Sequence, residues 1–143
     1  GLTYLAFAIA ATARALREFP ELNARVLDDA FVKLAEVNVG IAVDTDEGLM
    51  VPVIRDVDTK GIVELARELG EVSQQARDRK LTPDRLRGAS FTISSLGGIG
   101  GSFFTPIVNS PEVAILGSGR AYWARYRNLA TAHLRRRSHR PPK

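Results

Sequence analysis

Val37-Asn38-Val39-Gly40-Ile41-Ala42-Val43 and Leu49-Met50-Val51-Pro52-Val53-Ile54, linked by Asp44-Thr45-Asp46-Glu47-Gly48, decide how this chain folds. Both runs are rich in residues that favour strands, and the link between them is polar and ends in glycine. That pattern predicts two strands joined as a hairpin. Apolar residues fill nearly every position of each run rather than alternate ones, so both faces of these strands are expected to be covered. Pro52 has no backbone N–H to give, which places its strand at an edge or a bulge.

Helical patterns flank this centre. From Thr3 to Phe19, Leu5, Ile9, Ala13 and Leu16 recur at helical spacing, with Ala6 and Ala10 widening the stripe. Pro20 disfavours a helical conformation at Phe19 and ends the segment. On the other side, Ile62, Leu65, Ala66, Leu69, Val72 and Ala76 mark one face of a second helix. Glu64, Arg67, Glu68, Glu71 and Arg77 mark its opposite face. Leu81-Thr82-Pro83-Asp84 reads as a helix start, with Thr82 as cap and Pro83 in the first position, followed by a short helical turn to Gly88. Ser90 to Ser94 then predicts a strand and Pro111 to Gly117 a last apolar strand. No internal repeat is present.

The bulk properties set bounds. A chain of 143 residues fits one domain with a real hydrophobic core. The absence of cysteine excludes a disulfide framework, a cysteine-based zinc site and a cysteine nucleophile, and suits a reducing compartment. No apolar run reaches membrane-spanning length. Leu5 to Ala13 has the look of a secretion-signal core, but nothing basic precedes it, and a buried helix is the better reading. The first residue is Gly1 rather than methionine, which suggests a fragment with domains upstream. Charge is unevenly spread: residues 1–119 carry a net −4 and residues 120–143 a net +8. The chain divides on this basis into a mildly acidic body, 1–119, and a basic, unfolded tail, 120–143.

Each chemically suggestive motif has a plainer reading beside it. Four glycines at Gly97, Gly98, Gly100 and Gly101 call for backbone shapes or close approaches that side chains would forbid. The loop lacks the third glycine of a dinucleotide fingerprint and has no Gly-Lys-Ser/Thr, so a tight structural turn is the favoured reading over a phosphate cradle. Ser94 and Ser95 lie between a strand and that loop, where a hydroxyl can face a cleft or merely cap the turn. No Gly-x-Ser-x-Gly elbow surrounds them, which argues against a hydrolase nucleophile. His133 and His139, the only histidines, fall in the basic tail without a carboxylate neighbour and read as solvated residues rather than a base or metal ligand. The tail carries Tyr122, Trp123 and Tyr126 but no nucleic-acid reading module, so charge alone would drive any binding to an anionic polymer.

Particular strings add a family likeness. Asn38-Val39-Gly40-Ile41-Ala42-Val43-Asp44-Thr45 and Gly48-Leu49-Met50-Val51-Pro52-Val53-Ile54-Arg55-Asp56 resemble the lipoamide acyltransferases of 2-oxo acid dehydrogenase complexes. So do Phe91-Thr92-Ile93-Ser94-Ser95-Leu96-Gly97-Gly98-Ile99-Gly100-Gly101, Phe104-Thr105-Pro106-Ile107-Val108-Asn109 and Pro111-Glu112-Val113-Ala114-Ile115-Leu116-Gly117. Phe19-Pro20-Glu21-Leu22-Asn23 is similar as well. The resemblance implies an α/β fold like that of chloramphenicol acetyltransferase, a mixed sheet flanked by helices. It implies homotrimers that build a larger hollow core beside the other dehydrogenase components, in a bacterial cytoplasm or a mitochondrial matrix. The implied reaction is acyl transfer between the thiols of dihydrolipoamide and coenzyme A, both substrates, with no covalently bound cofactor and no metal. A thiol attacking a thioester needs a base and creates an oxyanion that needs a donor. The resemblance assigns the donor to Ser94, with Leu96, Gly97 and Gly98 shaping the substrate tunnel.

One departure stands against it. The family's histidine sits in Asp-His-Arg, followed three residues later by Asp-Gly, and this sequence has no such string. The change of composition after Gly117-Ser118-Gly119-Arg120 suggests a truncation or a change of reading frame, leaving the fold incomplete at its C-terminus and apolar faces uncovered. An inactive scaffold or assembly fragment of the same family is therefore the alternative, and an anionic-polymer binder acting through the tail a weaker one.

Overall fold

The structure is a computed structural model and describes residues 1–96 and 104–119. The glycine loop from Gly97 and the basic tail, with His133 and His139, lie outside the described residues. Helix α1 spans Tyr4–Glu18 and helix α2 spans Ile62–Arg77. Eight short strands accompany them: β1 (Ala24–Leu27), β2 (Ala30–Lys33), β3 (Val39–Ile41), β4 (Val43–Thr45), β5 (Gly48–Met50), β6 (Val53–Ile54), β7 (Phe91–Ser95) and β8 (Ile115–Ser118). The central sheet runs β6-β3-β7-β8. β6 is antiparallel to β3, while β3, β7 and β8 are parallel.

Both helices form where the apolar period places them. α1 buries Ala6, Ile9, Ala13 and Leu16, and α2 buries Leu65, Leu69, Val72 and Ala76. These stripes meet one face of the sheet, made by Val39, Ile41, Phe91 and Ile93, in a single core that also takes in Val37, Val43, Ile54 and Val57. α2 is the crossover that the parallel partners β3 and β7 require, since no hairpin joins parallel strands.

The central hairpin is present, but it is divided. β4 and β5 pair across Asp46 and Glu47, with Thr45 opposite Gly48, which takes φ +112° where other residues would be strained. The pairing is interrupted at Ala42 and Pro52 and then continues in the same register, β6 against β3 at the sheet edge, with the Pro52 carbonyl accepting from Ile41 N at 2.9 Å. Coverage on both faces holds for Val37 to Ile41 and for Pro52 to Ile54, whereas Leu49 is 67% exposed on the two-stranded β4–β5 ribbon, outside the central sheet.

Two asparagines fasten the joints. Asn38, buried at the entry to β3, accepts from Asp56 N through Oδ1 at 2.9 Å and donates to the Gly88 carbonyl at 3.2 Å. Its backbone exchanges hydrogen bonds with the Ser90 hydroxyl. The starts of β3 and β7 and the exit from β6 are thus tied at one residue. Asn23 donates from Nδ2 to the carbonyls of Leu34 and Glu36, both at 2.9 Å, and closes the base of the β1–β2 hairpin. The sequence reading passed over that hairpin.

Two expected ends change. Pro83–Leu86 is a 3-10 turn, and the Thr82 side chain makes no capping hydrogen bond. The last strand starts at Ile115 rather than Pro111, because Glu112 leaves the sheet line to form an isolated bridge with Arg25. Glu112 is buried: Thr92 Oγ1 donates to its Oε2 at 2.7 Å and Asn109 Nδ2 to its Oε1 at 3.2 Å. Burial holds this carboxyl above the ordinary value, against the two hydrogen bonds and the nearby Arg25 charge. Glu68 goes the other way. Burial opposes its ionisation too, but hydrogen bonds from Lys60 and Arg85 prevail and lower it.

Two predictions follow from this packing. Leu65, fully buried between helix and sheet, should cost about 2–5 kcal/mol when cut to alanine, read from denaturant midpoints at constant slope. A carboxyl with a raised folded pKa gives stability that is present below its unfolded pKa and is lost as pH rises through the folded one. Glu112→Gln keeps an acceptor for Thr92 and carries no charge. Relative to the parent, its stability should therefore improve as pH rises from about 4 to about 7. Denaturation curves across that range that run parallel for the two proteins would contradict the assignment.

Candidate functional site

Side chains alternate across a strand, so β7 presents two unlike surfaces. Phe91 and Ile93 point into the helix-covered core, and Ser95 shares their side. There it is hydrogen-bonded to the Tyr4 hydroxyl at the first turn of α1. Thr92 and Ser94 point the other way. Thr92 reaches Glu112 on that side, and Ser94 follows two residues later at the end of the strand.

The far face carries small residues at two points, beside Val53 and Ile115. Gly40 lies opposite Thr92 in β3, and a Cβ there would come within 2.9 Å of Val51 Cγ1 and 3.0 Å of Thr92 Oγ1. Gly117 lies opposite Ser94 in β8, where a Cβ would meet Pro106 Cγ at 3.0 Å and Phe104 Cζ at 3.2 Å. Phe104-Thr105-Pro106 therefore crosses the sheet beside Ser94, and glycine at 117 is what admits it. Glu112 secures the segment that follows this crossing through Thr92 in β7, and its neighbour Pro111 is held through its carbonyl, which accepts from the Val26 N–H at 3.1 Å.

Ser94 is half-buried and its hydroxyl bonds to no described residue. It stands at the mouth of the glycine loop, next to Leu96, whose N–H donates to the Ser118 carbonyl at 2.9 Å. Leu96 is also half-buried, while Gly97 and Gly98 lie outside the described residues. The structure thus brings Ser94 together with Thr92, Gly117 and the Phe104–Pro106 crossing. Sequence reasoning missed Glu112 and Tyr4. A lone glutamate within an apolar stretch, Pro111 to Gly117, was the signal available for Glu112; nothing local marks Tyr4.

A cleft of about 590 Å³ opens on the helix side instead, lined among others by Tyr4, Asp44, Leu69, Ser73, Arg77 and Ser95. Ser95 faces it and Ser94 does not line it. The two adjacent serines therefore serve opposite surfaces. Among the described residues no three His, Cys, Asp or Glu side chains gather to hold a metal ion. No helix among them is long and apolar enough to cross a membrane.

Comparison with known proteins gives this geometry its relatives. The sequence pattern of the family described as 2-oxoacid dehydrogenases acyltransferase (catalytic domain) matches residues 1–134, reaching past Gly119. The dihydrolipoyllysine-residue acetyltransferase component of the pyruvate dehydrogenase complex of Cupriavidus necator is 51% identical over 121 residues, covering 85% of this chain and 22% of that protein. Azotobacter vinelandii dihydrolipoamide acetyltransferase superposes with a TM-score of 0.85 at 47% identity, over 89% of this chain and 53% of its own. Crystallographic and enzymatic work on that protein addressed the role of a serine, a histidine and an asparagine in its catalytic mechanism. The cubic core of the pyruvate dehydrogenase multienzyme complex matches with the same TM-score, identity and coverage. This chain, which spans about half of those solved chains and much less of the curated relative, belongs to the 2-oxoacid dehydrogenase acyltransferase family and lies within its catalytic domain.

Proposed function

We propose that this chain takes part in acyl transfer between dihydrolipoamide and coenzyme A, with Ser94 as the hydrogen-bond donor to the oxyanion. The observation that carries this reading is the Ser94 hydroxyl itself: half-buried, bonded to no described residue, and presented beside the Phe104–Pro106 crossing. Thiolate attack on a thioester turns the carbonyl oxygen into an oxyanion, and a donor placed in advance stabilises that charge more than it stabilises the ground state. Nucleophile and leaving group both belong to the substrates, so a chain without cysteine can do this chemistry. Leu96, Gly97 and Gly98 are proposed to shape the path to Ser94. The relatives named above act on acetyl groups by name, which makes acetyl-coenzyme A the first donor to assay. They are bacterial, which favours a bacterial cytoplasm over a mitochondrial matrix.

Assembly into trimers and then a larger core, beside the other dehydrogenase components, is proposed on the same likeness. Val26, Leu27 and Phe31 on the β1–β2 hairpin, with Ile107 at 88% exposure, offer apolar surface for it. A body at 1–119 with a separate basic tail at 120–143 remains the proposed division.

The second reading is a scaffold that keeps the fold without turnover. It is favoured by one specific fact: the sequence has no Asp-His-Arg string, and its two histidines, His133 and His139, lie outside the described residues. Acetyl transfer from acetyl-coenzyme A to dihydrolipoamide, measured beside Ser94→Ala, separates the two readings. Turnover that falls roughly a hundredfold or more in Ser94→Ala is the expected outcome. Equal turnover in both proteins removes Ser94 from the mechanism, and a folded parent without turnover establishes the scaffold.

A further inference from the structure

We propose that Tyr4 is a positioning residue for Ser94, acting through Ser95; the catalytic part of this inference rests on the acyl-transfer reading above. The need for such a residue follows from where the sheet stops. β3 pairs with β7 at Val39–Phe91, Gly40–Thr92 and Ile41–Ile93 and then ends. Ser94 and Ser95 lie beyond its last register partner and keep strand partners on the β8 side alone, at Gly117 and Ser118. Among the described residues β8 is itself an edge strand. The end of β7 that carries the oxyanion donor is thus held by half the ladder that holds Thr92.

The Tyr4 hydroxyl supplies a hold from a third direction. Tyr4 opens α1, whose Ala6, Ile9, Ala13 and Leu16 are fixed in the core. Its ring reaches across the helix-side cleft to Ser95 Oγ. Consecutive residues of a strand point to opposite faces, so fixing the Ser95 side chain on one face sets the rotation of the strand about its axis. That rotation decides where the Ser94 hydroxyl points on the other face. A site held to within about half an ångström needs a supporting shell of this kind.

The experiment combines local hydrogen exchange with steady-state kinetics on the full chain. Tyr4→Phe keeps the ring and removes the hydroxyl. It should speed exchange of the amides at 94–96 severalfold while leaving the β1–β2 hairpin and the thermal midpoint unchanged. In acetyl transfer, kcat should fall several-fold with KM held. Ser95→Ala should show at least both effects, and adding Tyr4→Phe to it should change nothing further, because the Tyr4 hydroxyl has by then lost its partner. Unchanged exchange at 94–96 in both variants overturns the proposal whatever the kinetics. Faster exchange with unchanged kcat overturns its catalytic part. Faster exchange in the variants of a parent that shows no turnover upholds Tyr4 as the anchor of the strand end and rejects the acyl-transfer reading on which the catalytic part rests.

Discussion

The parallel pairing of β3 with β7 is the constraint from which the rest of the structure follows. Two parallel neighbours need a long connection, and here it runs through β4, β5, β6 and α2 before the chain returns at Phe91. The returning helix has to lie against the sheet, and it brings Leu65, Leu69 and Val72 onto Val39, Ile41, Phe91 and Ile93. Hydrophobic burial of that kind is the main favourable contribution to folding. α1 completes the layer. The helix-covered core face is thus aliphatic and aromatic, whereas the other, beside Val53 and Ile115, carries Gly40, Thr92, Ser94 and Gly117.

This asymmetry leaves room at the strand end for the proposed chemistry. Small and hydroxylated residues let another segment, Phe104-Thr105-Pro106, approach the backbone closely beside Ser94. The approach needs an anchor, and Glu112 provides one at a cost, since it is a carboxylate buried with hydrogen bonds to both of its oxygens. An unpaired charge there would be far more expensive. The arrangement tolerates the charge because Thr92, Asn109 and Arg25 all lie close to it.

The helices were legible in the sequence because their apolar residues recur with a period that no other element shares. The β4–β5 turn was legible for the same kind of local reason: Asp46 and Glu47 are followed by a glycine at positive φ. What local pattern does not encode is which strands become neighbours. β3 meets β7 across some fifty residues, as Asn38 meets Ser90 at a separation of 52. The β1–β2 hairpin escaped notice because its turn, Asp28-Asp29, lacks glycine and its apolar residues Val26, Phe31 and Val32 are exposed rather than buried. Glu112 ends an expected strand early for a tertiary reason, its bridge to Arg25. Ser94 was picked out by its string, but the separation of the two adjacent serines onto opposite surfaces emerged only with the sheet. Tyr4 meets Ser95 across 91 residues and leaves no trace in either neighbourhood.

The proposed reaction divides its demands between donor and base, and the described residues meet them unequally. For the proposed donor, Ser94 has a hydroxyl free of described partners on the face that the crossing segment shields. For the base, Glu112 is the substitute the structure invites, since it is tied to that face through Thr92 and has a raised pKa. The geometry argues against it. A general base must have an oxygen available to the proton it takes, whereas both Glu112 oxygens already accept hydrogen bonds and the residue is only 7% exposed. Moving its charge would also loosen the anchor of the crossing beside Ser94. Glu112 is a support of the crossing segment, and its two occupied oxygens leave it no part as the base of the proposed reaction.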